Sequence, residues 1–205
     1  NGDHIIISGL EHNAVMRPLK ALEKSNISYS IIPSDEQGSI NADCIPALIK
    51  PDTKAILTTA ASNVAGNILP LRQIGKVARL NHIPYFVDAA QLAGFLPLNM
   101  DVLGIDLLAI TGHKSLLGPH GIGAVILSDE MGKEIEPLIY GGTGSVSDKF
   151  DMPESLPDKF EAGTQNLIGI AGLLASMRWL KENHIQVLKN EIALTNRFIT
   201  GINEL

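Results

Sequence analysis

At 205 residues the chain is long enough to bury a full hydrophobic core, and its size favours one domain. Hydrophobic residues make up 45% and aromatics only 4%, so the core must rest on Ile, Leu, Val and Ala. The net charge of -6 leaves nothing to neutralise a phosphate backbone, which excludes a general nucleic-acid binder, and no apolar run of about 18 residues exists to span a membrane.

The chain opens NGDHIIISG, with neither a basic region nor a long apolar stretch, so no signal peptide is visible. Because both ends read as cut, that says little about a parent protein. His4–Ser8 is the first expected strand, followed by Glu11, His12 and Asn13. An amphipathic stretch, Val15–Leu22, predicts a helix in which Pro18 is tolerable, since an amide in the opening turn has no helical acceptor. Ser28–Ile32 reads as a second strand and Ala42–Lys50 as a second helix. That helix holds the only cysteine, Cys44, beside a face of Ala42, Ile45, Leu48 and Ile49, and reads as a small core residue. One cysteine forbids an internal disulfide and suits a reducing compartment, hence a cytoplasmic protein.

Ala55–Thr59 is the third strand and leads to Ala61, Ser62 and Asn63; Pro70 marks the start of a helix over Leu71–Leu80. Tyr85–Val87 ends at Asp88, Leu107–Ile110 ends at Thr111, Gly112, His113 and Lys114, and Gly123–Leu127 is the sixth strand. Several of these strands are apolar throughout, as expected of parallel strands covered on both faces. The alternation of strands and helices predicts a three-layer α/β fold with a mostly parallel sheet. Tyr140–Phe160, with GGTGS and two prolines, reads as a long functional loop. A helical face of Leu167, Ile170, Ala171, Leu174 and Met177 follows, then a second of Leu188, Ile192, Phe198, Ile199, Ile202 and Leu205. The pattern is still helical and apolar at Leu205, so the domain is expected to continue beyond it.

Residues just past the carboxyl ends of parallel strands face the crevice where such folds bind ligands. Four strand ends deliver His12, Asn63, Asp88 and Lys114 toward that edge. A lysine there can form an imine with a carbonyl compound once its amine sheds a proton. A carboxylate following a buried strand needs a charged or hydrogen-bonding partner, which the ring nitrogen of pyridoxal 5'-phosphate (PLP) would supply. The structural alternative is that Asp88 caps a short helix beginning AAQLAG. Asn63 or Gln91 can donate to a ring oxygen. No metal site is expected.

The segments EHNAV, SNVAG, VDAAQ, TGHKSLLGPHGIG and FEAGTQN, taken together over nearly the whole chain, resemble class V aminotransferase-fold PLP enzymes. Within them they resemble the cysteine desulfurase and selenocysteine lyase group. The resemblance implies the large domain of an aspartate aminotransferase-like fold. Residues 1–180 would form this PLP-binding domain without its N-terminal part, and residues 181–205 a helix leading toward an absent C-terminal small domain. It implies Lys114 as the Schiff-base lysine, Asp88 as partner of the pyridine nitrogen, and Gln91 as donor to the ring hydroxyl. His12 would stack on the ring and take part in proton transfer, with Asn63 near the ring oxygen. Thr111 and His113 would bind the phosphate, and Thr164 would reach the phosphate of a neighbouring subunit, which implies a homodimer. The GGTGS loop, Gly141–Ser145, has a counterpart near the active-site mouth of some members.

The implied activity is conversion of L-cysteine to L-alanine, with sulfur passed to an acceptor protein through a persulfide on a cysteine outside this chain. The alternative is another class V enzyme, such as an aminotransferase, a selenocysteine lyase or a related amino-acid lyase. A non-enzymatic nucleotide-binding reading finds no support in the first strand–helix junction, GLEHNAV, which lacks a phosphate-binding glycine pattern.

Overall fold

The computed structural model describes residues 2–146 and 148–204. Strands β1 (His4–Ser8), β2 (Ser28–Ile32), β3 (Thr53–Thr59), β4 (Tyr85–Asp88), β5 (Leu107–Thr111) and β6 (Gly123–Leu127) form one sheet in the order β2-β1-β3-β4-β5-β6. All neighbours pair in parallel except β5 and β6. Helix α1 (Asn13–Leu22) connects β1 to β2, and α2 (Leu71–Leu80) connects β3 to β4. These crossovers travel in opposite directions along the sheet, so right-handed connections set their helices on opposite faces, giving three layers. The expected α/β/α architecture with a mostly parallel sheet is the observed one.

The register accounts for the core. Ile6, Ile32, Ile56, Tyr85, Val87 and Leu108 share one face of the sheet and pack with Ile45, Ile74, Ala78, Leu173 and Leu180. On that face His4 is fully buried, with Nδ1 2.8 Å from Thr53 Oγ1 and Nε2 2.9 Å from Ser30 Oγ, so it ties three strands together at their amino ends. Burial chiefly, with the nearby Lys50 charge, lowers the His4 pKa. The opposite face, which carries Thr59, Asp88 and Thr111, is more thinly covered.

Several expectations are corrected. Helix α1 begins two residues earlier than expected, with His12 as its N-cap, so Pro18 lies inside the helix rather than in its first turn. The Pro18 ring therefore denies the Ala14 carbonyl a helical donor, and Ala14 is exposed to water instead. The stretch expected as a helix over Ala42–Lys50 is a 3-10 helix, Ala42–Leu48, with Pro46 inside it. No helix follows Asp88; residues 90–92 form a turn. Helices α3 (Met100–Leu103) and α4 (Asp129–Glu134) are too short to leave a periodic signal. The last two helical stretches are one helix, α5 (Leu167–Asn203), because no glycine pair or proline interrupts Arg178–Val187. Leu205 lies outside the described residues.

Between α4 and α5 the chain has no further strand or α-helix among the described residues. Lys159 is only 2% exposed and anchors this segment. Its Nζ donates to the Gly132 and Lys133 carbonyls at the C-terminal end of α4, both at 3.3 Å, where the helix dipole favours a cation. No helix among the described residues is long and apolar enough to cross a membrane.

Candidate functional site

The chain reverses its direction of travel across the sheet between β1 and β3, so the loops leaving their carboxyl ends splay apart and open a crevice. A cleft of about 340 Å³ lies there, lined by His12, Asn63, Asp88, Gln91, Thr111, His113 and Lys114 together with Thr59, Ala61 and neighbouring alanines. Seven of the eight site residues expected from sequence thus meet at one cleft. Thr164, next to Gly163, is exposed and does not line it.

Local chemistry explains how each side chain arrives. His12 leaves β1 in an extended conformation and caps α1, its Nδ1 accepting the Ala14 N–H at 3.1 Å. That bond assigns the proton of the neutral ring to Nε2. Asn63 sits on a turn held by Ser62 Oγ, which accepts the Val64 and Ala65 amides at 3.2 and 3.1 Å. Asp88 Oδ1 accepts the Ala90 N–H at 2.9 Å, the local bond that the capping alternative expected, here closing a turn. No other hydrogen bond to that carboxylate is present among the described residues.

Lys114 lies in a bend closed backbone to backbone: the Gly118 N–H donates to Gly112 O at 2.7 Å, and the Gly112 N–H to Ile122 O at 2.9 Å. A Cβ at Gly118 would lie 2.9 Å from the Gly112 oxygen, so this bend needs glycine. Thr111 Oγ1 and His113 Nδ1 are 3.1 Å apart, and the His113 ring stacks on that of His120 at 4.8 Å. Cys44 is half-buried and is not among the cleft residues.

One polar residue of this region received no role from the sequence. Glu11 is half-buried beside the cleft, its Oε1 accepting both the Ser8 hydroxyl and the Thr59 N–H. Its Oε2 is buried without a hydrogen-bond partner among the described residues. Burial pushes this carboxyl up to about 7, against the hydrogen bonds from Ser8 and Thr59 that favour its anion. The only available signal was its position beside His12 after an apolar strand. Burial of Glu11 depends on β3 and β4, which that signal does not reveal.

Comparison with known proteins identifies relatives of this chain and of its fold. A cysteine desulfurase IscS from Dictyoglomus turgidum is 37% identical over 172 residues, covering 84% of this chain and 40% of that protein. A probable cysteine desulfurase from Methanothermobacter thermautotrophicus is 31% identical over 211 residues, covering 98% and 52%. Among solved structures, the apo cysteine desulfurase from Thermococcus onnurineus NA1 superposes with a TM-score of 0.89 at 31% identity, over 100% of this chain and 52% of that one. The chain thus spans about half the length of the relatives it matches. The family model described as aminotransferase class-V matches residues 1–205, and with the shared fold this means that the chain belongs to the aminotransferase class-V family.

Proposed function

We propose that the whole protein is a PLP-dependent cysteine desulfurase that converts L-cysteine to L-alanine and hands the sulfur to an acceptor protein. The observation that carries this reading is the meeting of Lys114 and Asp88, from separate strands, at one cleft. The relatives named above add the desulfurase chemistry.

The residues fit the cofactor. The Lys114 amine has no hydrogen-bond or ion-pair partner among the described residues, and Asp88 keeps an oxygen for a ring nitrogen. The Asn63 and Gln91 side-chain amides are likewise unengaged, so both can serve a ring oxygen. Thr111 and His113 offer a hydroxyl and an imidazole to a phosphate. When bound, PLP supplies an electron sink for charge developing beside the substrate amino group.

Lys114 is the base that moves the substrate α-proton, and Asp88 holds the proton of the ring nitrogen. His12 supplies a flat face for stacking and a second proton carrier. A cysteine of the whole protein, outside these 205 residues, attacks the substrate sulfur. The new S–S bond forms as the C–S bond breaks, leaving a persulfide; the β-carbon takes a proton and the α-carbon regains the one that Lys114 removed, completing alanine.

Thr164 belongs, in this reading, to the phosphate site of a neighbouring copy in a homodimer. Residues 1–180 act as the PLP-binding large domain, and 181–205, the end of α5, lead toward the small domain. A cytoplasmic location accompanies a lone free cysteine. The test is product analysis: the whole protein with PLP and L-cysteine should release alanine and, with a thiol acceptor, sulfide in equal amounts. Absence of both products with every acceptor would favour an aminotransferase, a selenocysteine lyase or a related amino-acid lyase.

A further inference from the structure

Glu11 is joined to both sides of the cleft. Strand β3 runs on beyond Leu57, its last residue paired with β1, whereas β1 ends at Ser8. The Thr59 amide, facing the side that β1 has left, donates to Glu11 Oε1 at 2.8 Å. A side chain here completes a ladder that the backbone abandons. Beyond Thr59 the same network continues into β4: Thr59 Oγ1 lies 3.3 Å and the Ala60 N–H 2.8 Å from the Asp88 carbonyl. On the other side, Glu11 immediately precedes His12 in the chain.

The titratable groups that act on this carboxyl are Asp88 and Tyr85 from β4; no lysine or arginine pairs with it among the described residues. An ionised carboxylate with one oxygen buried and unpartnered, and an acid as neighbour, is far costlier than a neutral one. We propose that Glu11 is a positioning residue of the site: its carboxyl replaces the missing rung between β1 and β3 and thereby fixes His12 and Asp88 around the ligand. The identity of that ligand as PLP rests on the function proposed above. The clamp itself does not.

The test compares wild-type protein with Glu11→Gln and Glu11→Ala. Gln keeps the acceptor for the Thr59 amide and should bind PLP within roughly threefold of wild type, whereas Ala leaves that amide orphaned and should weaken PLP binding about tenfold. Without PLP, the stability of wild type relative to Glu11→Gln should fall as pH rises from about 4.5 to about 7 and level off above, because the folded carboxyl holds its proton longer than the unfolded one. A residue that only fills space would leave that difference level.

Wild-type PLP affinity in Glu11→Ala, a tenfold loss in Glu11→Gln, or a pH-independent stability difference would each overturn the proposal. Should Glu11→Ala fail to fold, the Gln variant decides by the same two readings. If wild-type protein takes up no PLP, the enzymatic reading falls, and the stability comparison alone supports or overturns the clamp.

Discussion

Lys114 reaches the cleft as an amine with no ion-pair partner among the described residues, which leaves it available to a carbonyl compound. Lys114→Ala should therefore abolish the visible absorbance that appears when PLP is added to the whole protein; an unchanged spectrum would defeat the assignment. At the far end of the sheet His4 contributes to the pH dependence of stability. Its pKa is lowered in the folded protein, so the unfolded chain takes up a proton first as pH falls. Its contribution is present above about pH 6.5 and is lost as pH drops through the lowered folded value. Urea unfolding between pH 7 and 5 should show wild type losing more stability than His4→Gln. Glu11 acts in the opposite sense over an overlapping range, losing its contribution as pH rises, so the wild-type profile alone mixes the two. Only difference curves against each variant separate them.

Among the elements, α2 meets α3 through a contact that admits no side chain. A Cβ at Gly75 would lie 1.8 Å from the Leu103 carbonyl oxygen, so Gly75→Ala must separate two backbones. A loss of about 2 kcal/mol or more is expected, read as a lower urea midpoint with an unchanged slope. Element legibility followed length and burial. Strands β1 and β6 were readable to the residue because their apolar runs end abruptly at polar or glycine positions, and β2 because Pro33 stops it. Strand β3 extends two residues earlier, through Thr53 and Lys54, whose polarity disguises strand backbone. Helix α4 is held by the Ser128 cap, at 3.3 Å from the Met131 amide, and by Lys159 from a distant loop. A six-residue helix secured this way has no period to detect.

At the scale of the molecule, apolar surface remains open on two sides. Val125 of β6 is 59% exposed, and along the second half of α5 Ile185 and Phe198 are 69% and 68% exposed. Such patches exceed scattered surface apolarity and mark surfaces that seek cover. The 205-residue chain alone should bind an apolar dye and self-associate in sedimentation; a monomer silent to the dye would show that its charge of -6 suffices to keep it apart. The cleft was legible because strand ends converge by topology, whatever the side chains. Glu11 was not, because only folding buries it, and Thr164 stands apart in a single copy.

Lys114, with His113 beside it, also differs from the other cleft residues in its mount. It rides the bend into β6, the one antiparallel strand, which lies at the sheet's margin. If that margin frays before the parallel centre melts, the amine is the first group to leave its station. Amide exchange at Gly112 and Gly118 would then outpace exchange at Thr59, and cofactor release would precede global unfolding.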